Sequence, residues 1–254
     1  MKITVKVGTS TLTHSTGKLD IRRVETLCKV LSDIKNAGHE VVLVSSGAIG
    51  MGVGKLNLSE RPEDMPGKQA AAAVGQCELM YVYDKLFAEY NHTVAQILLT
   101  REDLEDETRH QNFANTLSRL LELKALPVIN ENDTISTSEI AVGDNDTLGA
   151  LAAVSAGSEL LIVLTDIDGL YTADPRTDKD AKLIPEVREI TQKMRDSAGG
   201  GGTKLSTGGM ATKLAAAGIC MEAGIDMVIV NGARPEILYD VIEGKPVGTR
   251  FIGR

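Results

Sequence analysis

LLIVLT, residues 160–165, is an unbroken aliphatic run closed by a threonine, and the chain turns polar at once with DIDG at 166–169. A strand with no polar side chain has no solvent face, which is the pattern of a parallel sheet covered on both sides by helices. Five further short β-rich runs recur along the chain: ITVKV at 3–7, VVLVS at 41–45, VAQILL at 94–99, PVIN at 127–130 and MVIV at 227–230. Helical stretches separate them. The alternation predicts an α/β fold with a mainly parallel central sheet. Ile21, Val24, Leu27, Leu31 and Ile34 recur every three or four residues and Gly38 follows as a stop, so a helix is expected over 20–37. Leu117, Leu120, Leu121 and the residues to Ala125 read the same way. TISTSEIA at 134–141 is short, polar and β-branched, and is expected to form a hairpin projecting past the sheet.

A chain of 254 residues can bury a substantial core, and no linker composition interrupts it, so one domain spanning 1–254 is expected. Lys and Arg number 27 against 35 Asp and Glu, a formal charge of −8 that weighs against a nucleic-acid binder relying on counterion release. Cys28, Cys77 and Cys220 form no close pair; each reads as a small core residue in a helical pattern rather than part of a disulfide or zinc site. No signal peptide or membrane span is expected, and a reducing cytoplasm fits best.

In open α/β sheets ligands lie beyond the carboxyl ends of the strands. Four loops stand there. VKVGTST at 5–11 places Lys6 at a strand end before Gly8, a combination suited to phosphate oxygens; its alternative is a surface lysine on an edge strand. VSSGAIGMGVG at 44–54 follows a buried strand with Ser45, Ser46 and Gly47, where small residues allow close backbone approach or merely connect elements. LSTGGMATKLAAA at 205–217 sets Lys213 about one turn inside a helix, within reach of an anion at its N-terminus. LTDIDGLYTADPR at 164–176 ends a strand at Thr165 and Asp166 and continues into turns that could hold a nucleotide. Neither the P-loop pattern nor a complete G-x-G-x-x-G occurs.

INENDT at 129–134 and VGDNDT at 142–147 bracket the expected hairpin, so Asn130, Asn132, Asp133, Asp144, Asn145 and Asp146 could line one rim. Near an anionic phosphate donor, carboxylates must meet Mg²⁺, lysines or a cationic substrate group. An amino acid, with its ammonium and carboxylate, suits that rim. The plainer alternative is a cap for a helix starting near Thr147, which needs only one of the three residues 144–146.

VKVGTS, VSSGAI, PVINENDT, VGDNDTLGALAA, LTDIDGLYTADPR and STGGMATKL stand in the order in which they occur in the glutamate 5-kinases, of the amino acid kinase superfamily. The chain resembles that family over essentially its whole length. The resemblance implies a three-layer α/β/α sandwich and transfer of the ATP γ-phosphoryl to the side-chain carboxylate of L-glutamate, the first step of proline synthesis. By position, Lys6 resembles the family's ATP-phosphate lysine, Lys213 the lysine that steadies the transferring phosphoryl, and Asp146 the aspartate that orients both. Ser46, Asp133 and Asn145 match glutamate-binding positions, with Asp144 beside them. Thr165, Asp166 and the stretch Thr207, Gly208, Gly209, Met210, Ala211, Thr212 and Lys213 match nucleotide positions, and Gly8 and Gly47 would supply backbone donors.

Mg²⁺ is implied as the companion of ATP, with no side-chain cage. The family also implies a homo-oligomer, a dimer or tetramer, functional association with glutamate-5-semialdehyde dehydrogenase, and inhibition by proline with the 134–141 hairpin as sensor. Two departures stand out: many members continue into a C-terminal PUA domain, so the chain reads as a short form, and Ser206 stands where the family usually has glycine. Rival readings are N-acetylglutamate, carbamate or uridylate kinases of the same fold, and a non-catalytic ligand sensor.

Overall fold

The computed structural model describes residues 1–14, 18–136, 145–198 and 209–254. Eight strands are present among them: β1 (Lys2–Val7), β2 (Glu40–Val44), β3 (Val94–Leu99), β4 (Leu126–Glu131), β5 (Leu160–Thr165), β6 (Glu186–Val187), β7 (Asp226–Asn231) and β8 (Thr249–Phe251). They join in one sheet of order β3-β4-β2-β1-β5-β7-β8-β6. Every neighbouring pair is parallel except β7 and β8. The six predicted runs are the six long strands, each within one residue of its expected limits. β6 and β8 are too short to carry a readable pattern.

The helices are α1 (Thr9–Leu12), α2 (Ile21–Asn36), α3 (Ala48–Lys55), α4 (Met65–Ala88), α5 (Arg101–Glu105), α6 (Glu107–Glu122), α7 (Asn145–Ala156), α8 (Gln192–Ala198), α9 (Met210–Glu222) and α10 (Ile237–Ile242). The aliphatic run of β5 shows how they are layered. Leu160, Ile162 and Leu164 pack in a core with Leu27 of α2, Leu79 and Phe87 of α4 and Leu238 of α10. Leu161 and Val163 point the other way, into Ala150 and Ala153 of α7 and Leu214 and Ala217 of α9. Phe113 and Leu117 of α6 continue that second layer over Val42, Val44 and Ile129. Period-two alternation on a strand covered on both faces yields three layers.

Local chemistry explains the boundaries. Asp20 accepts the backbone N–H of Arg23 and caps α2, and Gly38, at φ +95°, ends it. Ile21, included in the apolar stripe by spacing, is 63% exposed at the first residue of α2, whereas Val24 and Leu27 are buried in the core over the middle of the sheet. Cys28 and Cys220 are buried as expected, but Cys77 is exposed on α4. The α4 helix is capped by Asp64, which accepts the Gly67 N–H.

The α3–α4 pair is unusually close. A Cβ on Gly75 would lie 1.7 Å from the carbonyl oxygen of Ala48, and one on Gly52 would lie 1.8 Å from that of Ala71, so the two helices cross in backbone contact. Among the described residues, no helix is long and apolar enough to cross a membrane. Most of the expected 134–141 hairpin, and Ser206, lie outside the described residues.

Candidate active site

β1 lies between β2 and β5, at the middle of the sheet, so Lys6 is not a surface lysine on an edge strand. It is 7% exposed, one residue before the strand's end. Its stem passes Gly149 of α7, where a Cβ would come within 3.3 Å of the Lys6 Cβ; glycine makes room for the lysine. The Nζ of Lys6 meets Oδ1 of Asp146 at 2.6 Å. From the opposite side, Lys213 in the first turn of α9 places its Nζ 3.1 Å from Asp146 Oδ2. Asp146 is fully buried and Lys213 only 4% exposed.

Burial alone would push the Asp146 carboxyl up, but the ammonium groups of Lys6 and Lys213, with the Thr212 hydroxyl, outweigh it and hold the group well below the usual carboxylate range. The Thr212 hydroxyl lies 2.9 Å from Asp146 Oδ2 and 2.8 Å from the Gly209 carbonyl, sharing one proton between them. Two cations held around one anion leave a net positive charge beneath the sheet's carboxyl edge. Such a centre suits an anion with several oxygens.

Asn145, the residue before Asp146, faces the second strand loop. Its Nδ2 donates within 2.8 Å of the Ser45 carbonyl, 2.9 Å of Ser46 Oγ and 2.9 Å of Asn130 Oδ1, two protons shared among three acceptors. Among the described residues helix α7 runs from Asn145, so Asn145 and Asp146 already lie within it. Asn145 and Asp146 therefore leave the same first turn, one toward Ser46 and one toward the lysines. Gly47, at φ +101°, turns the chain from β2 into α3 and fits a position that L side chains rarely adopt. Asp133 is half-buried beyond β4; desolvation raises its pKa to about 6, with Arg61 opposing the shift. The Gly8 amide is directed at the Leu164 carbonyl, 3.4 Å away, and a Cβ there would stand 3.7 Å from Lys6 Nζ.

A cleft of about 320 Å³ opens on the other side of Lys213, floored by Thr165, Asp166 and Leu170 and walled by Tyr171, Arg176, Met194, Gly209 and Met210. Thr165, Asp166, Gly209, Met210 and Lys213 were expected at a nucleotide and line it together; Ala211 is exposed on the same turn and Thr212 turns inward to Asp146. Asp144, Thr207 and Gly208 lie outside the described residues. Sequence reading missed the wall from Thr191 to Ala198, which includes Met194 and Ser197. This segment is polar, carries α8 and follows only the two-residue β6, which is too short to read in the sequence, so its only signal is nearness in sequence to the glycine-rich 199–202 stretch.

Polar groups for an anion thus occupy the sheet's carboxyl edge, with an open cleft on one side of Lys213 and an amide and hydroxyl cluster on the far side of Asp146. Among solved structures the fold is shared with carbamate kinase from Giardia lamblia bound to AMP-PNP, at a TM-score of 0.70 and 18% identity over 100% of this chain and 98% of that one. UMP kinase from Ureaplasma parvum aligns at a TM-score of 0.65 and 18% identity, covering 99% and 98%. Sequence relatives are much nearer. The chain is 52% identical to a glutamate 5-kinase of Clostridium perfringens, over 100% of its own length and 96% of the relative's. It is 55% identical to one of Clostridium tetani, over 98% and 93%. Against one of Caldanaerobacter subterraneus it is 52% identical over 99% of its length, which is 68% of the relative's. The profile of the amino acid kinase family matches residues 1–231, which include β1 with Lys6, α7 with Asp146 and α9 with Lys213. Matched over most of its length and folded as such enzymes fold, the chain belongs to the amino acid kinase family.

Proposed function

We propose that this protein is a glutamate 5-kinase, transferring the γ-phosphoryl of ATP to the side-chain carboxylate of L-glutamate to give L-glutamyl 5-phosphate, the first step of proline biosynthesis. The observation that carries the reading is the buried Lys6–Asp146–Lys213 centre lying between a nucleotide-sized cleft and the Asn145–Ser46 cluster. Relatives named glutamate 5-kinase, about half identical over the whole chain, support the choice of acceptor.

Glutamate is ionised at neutral pH, its reference side-chain pKa being about 4.3, so its carboxylate attacks without a general base. The difficulty is bringing one anion to another. Lys6 and Lys213 bear on the phosphoryl oxygens as charge passes from the attacking to the leaving oxygen, and Asp146 keeps both ammonium groups in place before the substrates arrive. Ser46, Asn145, an ionised Asp133 and Asp144 hold the amino acid. Thr165, Asp166 and the segment Thr207 to Lys213 hold the nucleotide, with amides at Gly8 and Gly47 near the phosphoryl. The ammonium and hydroxyl groups of this centre match phosphate oxygens, so Mg²⁺ would enter with ATP as its counterion rather than be held by the side chains of this centre. When bound, it neutralises phosphate charge.

The same reading includes one kinase domain spanning 1–254, a cytoplasmic setting, assembly as a dimer or tetramer, and proline inhibition at or beside the glutamate site. An acyl phosphate hydrolyses and cyclises readily, which favours functional association with the next enzyme, glutamate-5-semialdehyde dehydrogenase. ADP release with L-glutamate, N-acetyl-L-glutamate, L-aspartate and UMP, with hydroxylamine present to trap an acyl phosphate, tests the reaction. Glutamate-specific turnover and a trapped hydroxamate are expected; turnover with another acceptor alone overturns the substrate, and none with any overturns the enzyme. Millimolar proline is expected to shift the glutamate saturation curve, and an unchanged curve removes the inhibition.

A further inference from the structure

The amides around Asn145 do not stop at the site. Asn130, 1% exposed on β4, accepts two hydrogen bonds at Oδ1, from Asn145 Nδ2 at 2.9 Å and from the backbone N–H of Glu131 at 2.9 Å. Its Nδ2 must then find an acceptor away from the site, and it donates to Oε1 of Gln76 on α4 at 2.8 Å. The Gln76 Nε2 donates in turn to Oε1 of Gln96 on β3 at 3.0 Å. Buried Asn130 and Gln76 thus stand with the exposed Gln96 in a chain of amides of a single polarity, from the outer strand to Asn145.

The direction of this chain has a consequence at its inner end. Because Asn130 presents only Oδ1 to Asn145, and the Ser45 carbonyl beside it can only accept, Asn145 turns Nδ2 inward and Oδ1 is its one remaining acceptor for a ligand. Because Ser46 Oγ accepts from Asn145, the Ser46 hydroxyl proton is left to be donated elsewhere. One residue before Gln76, Gly75 brings the backbone of α4 against Ala48, at the start of the helix that follows Ser46 and Gly47. Neighbouring residues of α4 therefore support the Ser46 loop in two ways, through an amide chain and through backbone contact.

We propose that Gln76 is a positioning residue for the acceptor substrate, holding Asn130, and through it Asn145 and Ser46, in the hydrogen-bonding polarity that binds an amino acid. The proposal rests on the reading of Ser46 and Asn145 as acceptor-binding residues. Removing the Gln76 carbonyl leaves the buried Asn130 Nδ2 without its acceptor, so Asn130 keeps only the hold of the Glu131 N–H on its Oδ1, and one of the three acceptors of Asn145 is less firmly placed. Nothing in the chain of amides leads to the nucleotide cleft.

The test compares wild-type protein with Q76L and Q76E, measuring kcat, KM for L-glutamate and KM for ATP, and recording the side-chain amide signals of Asn145 by ¹⁵N NMR, assigned from their loss in N145D. Q76L is expected to raise KM for glutamate roughly fivefold or more while KM for ATP stays within about twofold. Q76E is expected to stay near wild type in both, since a carboxyl oxygen still accepts from Asn130 and Gln96 can turn its amide to donate. An unchanged glutamate KM in Q76L, or the same rise in both KM values in both variants, overturns the positioning role. If Q76L does not fold, Q76M takes its place with the same criteria. Should the wild-type protein fail to turn over glutamate, the functional reading falls; the amide chain is then decided by NMR. Asn145 signals moved in Q76L but retained in Q76E uphold it, and signals unmoved in Q76L overturn it.

Discussion

Lys6 and Lys213 grip the two oxygens of one carboxylate, Oδ1 of Asp146 at 2.6 Å and Oδ2 at 3.1 Å. One lysine comes from the central strand β1 and the other from the first turn of α9, so neither ammonium is placed by its own element alone. A buried carboxylate between them sets their separation and offsets their mutual repulsion. The centre is built before any ligand arrives.

Replacing Asp146 by Asn leaves two buried ammonium groups facing each other without an anion. A stability loss of about 3–5 kcal/mol is expected in chemical denaturation, together with a fall in kcat of about 10²–10³-fold. Lys6→Ala and Lys213→Ala each keep one ion pair, so they should lower kcat by a similar factor at a smaller cost in stability. Near-normal turnover in either lysine variant removes its role in the transfer.

Asp146 and Asp133 respond to pH in opposite senses. The folded-state pKa of Asp146 is depressed, so its contribution to stability is complete above the unfolded value and is lost only as pH falls through the lower, folded one. Titration between pH 5 and 8 should not involve it. The Asp133 pKa is raised by burial from 3.8 to about 6, so between those values the folded state retains a proton that the unfolded chain has released, and stability falls as pH rises from about 3.8 to about 6. Because the ionised form is the one that takes an ammonium, KM for glutamate should drop as pH rises through about 6. Asp133→Asn should flatten that dependence.

Gly75→Ala inserts a methyl group where the carbonyl of Ala48 already stands, and backbone cannot yield as a flexible side chain can. A loss of about 3 kcal/mol or more is expected, read as a lower melting temperature. The Ser46–Gly47 loop should move with α3, so the glutamate KM should rise as well.

Met194→Ala widens the cleft wall that α8 forms, at a residue only partly buried against the core. KM for ATP should increase severalfold while KM for glutamate changes little, since Met194 lies in the cleft beside Lys213 and takes no part in the Asn145 cluster. Equal effects on both substrates would contradict the division of the site into two ends.

Much of this protein was determined by sequence alone. The six long strands, the α2 helix with its Gly38 stop, and the parallel character of the sheet follow from aliphatic runs and periodicity, because burial on two faces leaves a plain mark on a short segment. The chemical types needed for phosphate and amino-acid binding were also legible, since they gather in the loops that follow strands. Tertiary structure alone decided how they combine. Lys6 could have lain on an edge until the strand order placed β1 at the centre, and Asp146 could have been a helix cap until α7 turned it toward two lysines. Gln76 carries no signal in an alanine-rich helix, and α8 none in a polar stretch. Their roles depend on partners distant in sequence, and a hydrogen bond or a cleft wall between such residues exists only once the sheet has brought its carboxyl ends together.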